Sequence, residues 1–405
     1  MPRAAPIIIA GAGPAGLCLA LYLAQRAQAT VVLETLSAAN YLDQAPRAGT
    51  IHPATLEMLA DLGLYERLEA RGLIAPKMQY WDRQHDEMFA EFDHGVLKND
   101  TRFPYVLQCD RLKIIAETMQ SLRTFDCCTM RMGVTLTGFS QSGECVEAVV
   151  TNETGATERV NGSFIVSGEG THSIVRKTLD IEFEGYTYAE RTLILSVVYD
   201  YDRHHGYAYR NYLSDPHEWA NLFKWGHPEL WRVVLPTGEH DDPDELLSDT
   251  SVQARLQRLL ARDEPYEVVY RGLYTVHQRV ATTFRRGRAI LAGDAAHVNS
   301  PIGAMGMNSG IHDAVNLGEK LHAIVERGAD LALLDQYTRQ RRHVAVNHTK
   351  AQTERNKKLL AERDPAVRRS NHDELRRTAD DPGRMRQFLL RSSLIQSVRE
   401  AAAIQ

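Results

Sequence analysis

The sequence predicts an α/β protein in which a parallel-sheet domain is interrupted by a mainly antiparallel sheet and followed by helices. Short, continuous apolar runs occur four times, as is typical of parallel strands buried on both faces. Residues 181–274 are rich in tyrosine, tryptophan, histidine and β-branched side chains, which favours a second sheet. From Asp335 onward the chain is highly charged and has a helical pattern. The apolar runs are Ile7–Ala10, Val31–Leu33, Phe164–Val166 and Ala289–Ala292.

The length of 405 residues exceeds that of a usual single core, so we expect more than one domain. The polar–aromatic alternation between about 76 and 101 indicates strands of the second sheet. The predicted division is a first domain of residues 1–75, 102–180 and 275–335, an inserted domain of 76–101 and 181–274, and a helical region of 336–405.

Helices are predicted where apolar side chains recur at helical spacing, or where glycine and proline are absent from a run rich in Leu and Ala. The alternation in Val134–Val150 instead predicts antiparallel strands. The arginines of the tail are interpreted as a solvated or dimer-facing surface, and a homodimer is expected. The predicted helices are Leu17–Ala27, 53–71 with a break at Gly63, Arg111–Leu122, 251–262 and Met307–Arg327.

Composition excludes several classes of function. The 47 Lys and Arg against 52 Asp and Glu leave a formal charge of −5, which argues against a nucleic-acid partner. The N-terminal apolar run is far shorter than the roughly 20 residues of a membrane span. Five cysteines without a CxxC pair indicate neither a disulfide framework nor a metal site. We therefore expect a cytoplasmic protein that contacts no membrane and binds no metal.

The first apolar strand is followed at once by Gly-Ala-Gly-Pro-Ala-Gly, residues 11–16. In such a turn Gly11 permits the bend, Gly13 lets the backbone approach a pyrophosphate, and Gly16 allows helix and strand to pack closely. The free N–H groups at the start of the next helix face the anion. Glu34 ends the second strand, where an acid accepts hydrogen bonds from a ribose. Together these features predict a Rossmann-like dinucleotide site.

A second segment distinguishes a flavin from a nicotinamide. Gly293–His297 follows another apolar strand, and the carboxylate of Asp294 can accept hydrogen bonds from the ribityl hydroxyls of a flavin. Pro301–Asn308 then opens a helix whose N-terminus suits the electron-rich edge of a reduced flavin. An NAD-dependent dehydrogenase has no need of this segment, so FAD is the favoured dinucleotide.

These residues resemble the single-component FAD-dependent aromatic hydroxylases, the family of para-hydroxybenzoate hydroxylase. The resemblance covers roughly residues 6–330, and its most specific part is the last motif. The motifs that carry it are Gly11–Gly16, Arg47–Thr50, Gln108, the strand that ends at Gly168, and Gly293–Asn308.

The resemblance implies a role for each matching position. Arg47 would contact the pyrophosphate, Gln108 and Asp294 would bind the ribityl chain, and Met307 and Asn308 would lie beside the isoalloxazine. The implied cofactor-binding residues are Gly11, Gly13, Pro14, Ala15, Gly16, Glu34, Arg47, Ala48, Gln108, Asp294, Gly306, Met307 and Asn308.

Simpler interpretations stay open for three of these side chains. Arg47 could be a surface arginine in a loop, and Gln108 could cap the helix that begins near Asp110. His297 is a candidate catalytic base, although a packing or capping histidine is the more common situation.

The resemblance also implies the reaction. NADH or NADPH, bound transiently, would reduce FAD, and O₂ would then give a flavin C4a-hydroperoxide that transfers oxygen to a phenol or a hydroxypyridine. The single GxGxxG turn agrees with transient binding of the nicotinamide. The substrate would be a small aromatic compound, with an aromatic acid favoured, and the choice between NADH and NADPH stays open.

Catalytic and substrate-binding candidates come from the loop at Pro301 and from the second sheet. A cation such as Arg232 or Lys224 suits an aromatic acid, although alternating aromatic residues are more often ordinary core. The catalytic candidates are Pro301 and His297. The substrate-binding candidates are Tyr212, Leu222, Lys224, Trp225, Arg232, Pro301 and Ile302.

The chain departs from the family pattern at two places. Glu169-Gly170 stands where Asp-Gly is usual, and Asn299-Ser300-Pro301 stands where a Pro-Pro pair is common. Two rival functions stay open: a reductase or dehydrogenase on the same fold that inserts no oxygen, and a flavin-fold binding protein that has lost turnover.

Overall fold

The strands follow the apolar pattern closely in the computed structural model, which describes residues 5–43, 49–225 and 229–405. All four predicted apolar runs form strands. The strands are β1 (Ile7–Ala10), β2 (Thr30–Glu34), β3 (Thr50–Ile51), β4 (Leu73–Ala75), β5 (Lys77–Asp82), β6 (Glu87–Asp93), β7 (Val106–Gln108), β8 (Cys128–Met132), β9 (Val134–Ser142), β10 (Cys145–Asn152), β11 (Thr157–Gly162), β12 (Phe164–Ser167), β13 (Phe183–Val198), β14 (Arg210–Ser214), β15 (Ala220–Lys224), β16 (Leu230–Pro236), β17 (Glu267–Ala281), β18 (Arg285–Arg286), β19 (Ala289–Leu291) and β20 (His297–Val298).

Helices form at each predicted position. Where a single helix was predicted, its observed ends differ from the predicted ends by up to three residues. The segment 53–71 divides into two helices around Gly63, as predicted. The helices are α1 (Pro14–Ala24), α2 (Pro53–Asp61), α3 (Tyr65–Glu69), α4 (Arg111–Leu122), α5 (Ile174–Thr178), α6 (Tyr201–His205), α7 (Pro243–Leu247), α8 (Asp249–Leu259), α9 (Met305–Arg327), α10 (Ala332–Val344), α11 (Ala351–Leu360), α12 (Pro365–Asp380), α13 (Pro382–Ser392) and α14 (Ile395–Ala403). Two 3₁₀ turns (His94–Leu97 and Gly293–Ala295) and one π-helical turn (Ala345–Lys350) complete the helical segments.

The first sheet has six strands in the order β18-β19-β12-β1-β2-β8. All neighbours are parallel except β18, which pairs antiparallel with β19 at the edge. The three isoleucines of β1 are fully buried, because helices and a small antiparallel sheet cover the two faces. This is the Rossmann-like sheet that the sequence predicts.

The second large sheet has eight strands in the order β20-β17-β13-β16-β15-β14-β5-β6. Its pairs are antiparallel, apart from the parallel pair of β14 and β5. Segments 76–101 and 181–274 therefore contribute to one sheet, as expected. However, β17 continues to Ala281, beyond the predicted boundary at 274, so the division into domains stays a prediction.

The C-terminal helices lie over the second sheet. Leu360, Leu375 and Leu389 are buried in one apolar cluster with Phe92 and Tyr212, which lie in the sheet region. The tail is thus not simply a solvated surface: its arginines are mostly exposed, while its apolar residues form part of a core. Among the helices of the described ranges, none is long and apolar enough to span a membrane.

Candidate active site

A cleft of about 900 Å³ lies between the two large sheets. Its walls bring together the glycine turn after β1, the segment around Asp294, the start of α9 and one face of the second sheet. Ligand sites of open α/β sheets lie at the carboxyl ends of the parallel strands, as this cleft does.

The three glycines of the turn have different surroundings. A Cβ atom on Gly11 would lie 2.5 Å from the carbonyl oxygen of Gly168, and Gly11 has φ +96°. A Cβ atom on Gly16 would lie 2.1 Å from the oxygen of Gly11. On Gly13 the nearest atom would be 3.9 Å away, and this residue lines the cleft. The space in front of Gly13 therefore fits a pyrophosphate, which is the first test of an FAD site.

Glu34 fixes the turn from the end of β2. Its Oε2 accepts a hydrogen bond from the backbone N–H of Ala12 at 2.9 Å, and its Oε1 accepts one from Leu36 at 2.9 Å. Tyr41 donates its hydroxyl to the carbonyl of Ala12. Because Glu34 lines the cleft beside the turn, it is placed where the sequence predicts a ribose partner.

Gln108 provides a second test of FAD binding. Its side chain is buried, and its Oε1 accepts a hydrogen bond from Thr50 Oγ1 at 2.7 Å. Among the described residues its Nε2 is buried without a hydrogen-bond partner, so a donor is available beside cleft-lining Thr50. The helix-cap alternative does not apply, because Asp110 itself caps α4 by accepting from Leu112 N–H at 2.7 Å.

Asp294 lies in the 3₁₀ turn after β19, with an exposed side chain on the cleft. The turn is held by Asp313, which accepts from the N–H of Gly293 at 2.9 Å, from His297 Nε2 at 2.8 Å and from Arg341 Nε at 2.5 Å. Burial opposes ionisation of Asp313, but the nearby His297 and Arg341 outweigh it and lower its pKa to about 2. A buried ion pair thus supports the Asp294 turn.

His297 is part of that support. It is buried, and its Nε2 is engaged by Asp313 rather than facing the cleft. The geometry favours the packing interpretation of His297 over that of a catalytic base.

The loop from Asn299 to Ala304 borders the cleft. Pro301 is exposed on it, and its carbonyl accepts from the N–H of Ala304 at 2.9 Å. Ala304 has φ +59°, a strained conformation for a residue with a side chain, and such strain is common at functional sites. Ile302 and Met307 also line the cleft, as does Gly306.

Asn308 lies behind this loop. Its Oδ1 accepts from His52 N–H at 2.9 Å, while its Nδ2 donates to Thr50 O at 2.9 Å and to Ala304 O at 2.7 Å. It does not line the cleft but ties the start of α9 to β3.

Pro14 and Ala15 begin α1 on the cleft, whereas Arg47 and Ala48 lie outside the described residues.

The second sheet presents alternate residues to the cleft. Asn221 and Phe223 of β15 line it, whereas Leu222 and Lys224 lie on the opposite face. Lys224 Nζ is engaged by Asp202 at 2.8 Å and Asp200 at 3.3 Å. These two predicted substrate contacts are therefore directed away from the cleft.

Arg232 is a cation of the second sheet that faces the cleft, which Arg111 also lines. It is 2% exposed, and its guanidinium carbon lies 3.9 Å above the ring of Trp225, which also lines the cleft. Burial lowers the pKa of Arg232 to about 10, so the side chain remains charged at neutral pH.

Arg210 lies on the same sheet face and was missed at the sequence level. The register pairs Arg210 with Phe223, and Phe223 with Arg232, so the three side chains form a row. Arg210 is buried, and its Nη2 donates to Tyr212 Oη at 2.7 Å. Its Nη1 has no hydrogen-bond partner within the part of the chain that the structure describes. Tyr212 is thus a partner of Arg210 and does not line the cleft. Side chains two positions apart in a strand lie on the same face, so the sequence around Arg232 could have predicted that Val234 also faces the cleft. Phe223 and Arg210 are found only from the pairing of the strands.

The side chain of Glu169, one methylene longer than the Asp that is usual in the family, makes hydrogen bonds within its own turn. Its Oε2 accepts from the hydroxyls of Ser167 at 2.8 Å and Ser173 at 2.9 Å, and from the N–H of Val175 at 3.2 Å. The carboxylate folds back onto the start of α5 while still lining the cleft. The departure from Asp-Gly therefore leaves the turn intact.

Comparisons with known proteins agree with this site. A model of the FAD binding domain matches residues 4–352. The chain is 34% identical over 391 residues to para-nitrophenol 4-monooxygenase of Pseudomonas sp. (strain WBC-3), covering 95% of this chain and 94% of that protein. It is 28% identical over 389 residues to a 6-hydroxy-3-succinoylpyridine 3-monooxygenase of Pseudomonas putida (strain DSM 28022 / S16), covering 95% and 96%.

A solved structure has the same fold over nearly its whole length. The crystal structure of p-nitrophenol 4-monooxygenase from Pseudomonas putida DLL-E4 superposes with a TM-score of 0.90 at 31% identity, covering 96% of this chain and 98% of that one. Together with the FAD-fitting turn and the cleft, these similarities show that the chain belongs to the single-component FAD-dependent aromatic hydroxylases and is an FAD-dependent aromatic monooxygenase.

Proposed function

We propose that the chain hydroxylates a phenol or a hydroxypyridine that carries a second anionic or electron-accepting group, using NAD(P)H and O₂. The observation that carries the proposal is the buried, cleft-facing Arg232, in one row with Phe223 and the buried Arg210. A positive charge that borders a ligand cleft favours an anionic ligand, because charge-assisted hydrogen bonds are stronger than those between neutral groups.

FAD would be held by residues whose environment fits it. The backbone of residues 11–16 would hold the pyrophosphate, Glu34 the ribose, and Gln108 and Asp294 the ribityl chain. FAD supplies hydride acceptance from the nicotinamide and the activation of O₂.

The chain's own residues would bind and activate the aromatic ring. Arg232 stabilises the phenolate over the phenol, since a nearby positive charge lowers the pKa of an acid. A phenolate ring is richer in electrons than a phenol ring and therefore accepts an electrophilic oxygen more readily. Phe223, Ile194 and Val234 give the pocket an apolar wall that excludes water.

Arg210 does not itself line the cleft, but its position on the same sheet face agrees with a substrate that has polar groups at two ends. It lies two strands from Arg232, and neighbouring strands are about 4.8 Å apart, so the two backbones are separated by roughly 10 Å. The names of two relatives agree with this pattern: para-nitrophenol joins a hydroxyl to a nitro group, and 6-hydroxy-3-succinoylpyridine joins a hydroxyl to a succinoyl group.

The test is turnover with a panel of phenol, para-nitrophenol, 4-hydroxybenzoate and a hydroxypyridine carboxylate. NAD(P)H oxidation, hydroxylated product and hydrogen peroxide are measured together. We expect coupled product formation only with ligands that carry the second polar group. Substrate-linked flavin reduction without any oxygenated product would instead support the reductase alternative.

The replacement Arg232→Met tests the cation while retaining much of the side-chain volume. We expect the dissociation constant of the substrate to rise about 30-fold or more, the effect of losing a buried charge pair of at least 2 kcal/mol. Lys224→Met is the matched control, because Lys224 pairs with Trp231 in the neighbouring strand and its charge lies on the face of the sheet opposite to the cleft. Equal loss of substrate affinity in both variants would contradict the assignment.

The preference for NADH or NADPH as the reductant is decided by the ratio of kcat/KM for the two in the same assay.

A homodimer stays a prediction, which light scattering on the FAD-loaded protein would check.

A further inference from the structure

Three metal-ligating side chains converge among the C-terminal helices. His343 lies in the last turn of α10, His348 in the π-helical turn that follows, and Glu400 on α14. None of the three lines the cleft. The cluster is therefore separate from the site described above, and it does not depend on the proposed function.

The π-helical turn is what brings the two histidines together. In an α-helix, residues five apart differ by about 140° around the axis, so their side chains diverge. The wider turn at Ala345–Lys350 places the rings of His343 and His348 with their centres 5.8 Å apart. π-Helical turns are rare in proteins, and those that do occur are often located at functional sites.

The ligand atoms have the spacing of a coordination site. His348 Nε2 lies 2.7 Å from Glu400 Oε2, and His343 Nε2 lies 3.6 Å from the same oxygen. All three ligand atoms lie within 4.8 Å of one another. Tetrahedral Zn²⁺ with bonds near 2.1 Å requires ligand atoms about 3.4 Å apart, so only small side-chain rotations are needed.

Two amide side chains support the ligands from behind. Asn347 Nδ2 lies 2.9 Å from His343 Nδ1, and Gln396 Nε2 donates to Glu400 Oε1 at 2.7 Å. Metal-binding imidazoles and carboxylates characteristically have such partners, which orient them. With Nε2 on a metal, Nδ1 of His343 would carry the proton, and a rotated Asn347 amide would accept it.

We propose that His343, His348 and Glu400 bind one divalent transition-metal ion, with water in the remaining position. Two imidazoles with one carboxylate favour Zn²⁺ and similar ions over Mg²⁺ or Ca²⁺, which prefer oxygen ligands alone. The side chains are 35%, 14% and 41% exposed, so an ion can enter from solvent. The ion would join α10 to α14, and α10 also carries the Arg341 that pairs with Asp313.

The experiment is calorimetric titration of the chelator-treated, FAD-loaded full chain with ZnCl₂. We expect one ion per chain with a micromolar or tighter dissociation constant, no comparable binding of MgCl₂, and a Tm that rises with zinc concentration.

Variants separate this site from the other histidines. His348→Gln and Glu400→Gln should each weaken zinc binding by about 10- to 100-fold. The double variant that combines His343→Gln with His348→Gln should abolish it. His217→Gln, at an exposed histidine outside the cluster, should change nothing. Unchanged zinc affinity in the double variant overturns the proposal. The proposal is also overturned if the unchanged chain binds no zinc while Glu400→Gln destabilises the metal-free protein. The cluster is then an ion pair only.

Discussion

Gly13 differs from the two glycines on either side of it in the turn. Gly11 and Gly16 lack space for a side chain because neighbouring backbone would be within 2.5 Å and 2.1 Å of a Cβ atom. Gly13 faces the cleft with its nearest neighbour at 3.9 Å. Two of the glycines thus serve the fold of the turn, and the third serves the ligand.

This difference predicts opposite phenotypes for two small substitutions. Gly13→Ala should leave the Tm of the FAD-free protein nearly unchanged and weaken FAD binding, because the methyl group occupies the space of the pyrophosphate. Gly11→Ala should lower that Tm itself, because φ +96° and the contact with Gly168 both disfavour a side chain. Thermal unfolding without FAD and titration by flavin fluorescence measure the two effects. A normal FAD affinity in Gly13→Ala would contradict the assignment of the turn.

Asp313 offers a second prediction at this scale. Asp313→Asn leaves Arg341 buried beside a neutral amide, and breaking such a pair costs about 3–5 kcal/mol of unfolding free energy. The folded pKa of about 2 lies below the unfolded value near 3.9, so the contribution is complete above pH 4 and is lost only as pH falls toward 2. Urea unfolding should therefore show the same deficit at pH 6 and pH 8. A deficit that disappears between these values would show that Asp313 is not the charged partner.

The sequence predicted residues of this site unevenly. Asp294 and the glycine turn are recognisable because each follows a strand within a few positions. For His297 a packing role was the favoured interpretation, although its partner Asp313 was not predicted. The structural role of Asn308 was missed, because its partner His52 is 256 residues away in the sequence. Local spacing reports a turn, while a tertiary partner is visible only after folding.

At the scale of elements, α4 was predicted with its observed ends. Asp110 caps its first turn, and no glycine or proline interrupts the following 12 residues. Most strands of the second sheet were predicted, but the end of β17, the short strand β20 and the faces of the strands were not. Leu222 and Lys224 have the same parity in β15, so both lie opposite to Phe223, and only the pairing with Arg232 shows which face borders the cleft.

Helix α13 permits a prediction about the tail. Leu389 is fully buried in the cluster over the second sheet, whereas Gln387 of the same helix is exposed. Leu389→Ala should reduce the unfolding free energy by about 2–5 kcal/mol, from lost burial and the cavity left behind. Gln387→Ala should change it by about 0.5 kcal/mol or less. Denaturant titration of both variants compares them, and equal stability would mean that the tail does not pack on the sheet.

At the scale of the whole molecule, the tail and the cleft share one core. Ile302 of the cleft loop and Met305 at the start of α9 belong to the same apolar cluster as Leu360 and Leu389 of the tail. The strained loop at Ala304 therefore rests on helices that the sequence alone presented as a charged surface. Apolar residues spaced along a mostly charged segment do not reveal which surface they will cover.

Three buried histidines connect the fold as a whole to pH. Burial lowers the pKa of His94 to about 4 and that of His312 to about 3, and burial together with Arg210 keeps the pKa of His52 well below its usual value. His52 is hydrogen-bonded to the Gly303 carbonyl and His312 to Thr55. All three are neutral in the folded protein near pH 6, whereas in the unfolded chain they titrate near 6.5.

The unfolded chain consequently binds more protons than the folded protein below pH 6.5, and stability must fall as pH falls from 6.5 toward 4. Each histidine contributes about 1.4 kcal/mol per pH unit in that window and nothing above it. We expect urea unfolding to give nearly constant free energies at pH 7.5 and 8.5 and a steep decline at pH 6 and 5.5. His94→Gln should lower the stability at pH 7.5 but reduce the slope below pH 6.5 by about 1.4 kcal/mol per unit, since one neutral histidine is gone. An unchanged slope in that variant would mean that His94 accepts its proton without unfolding.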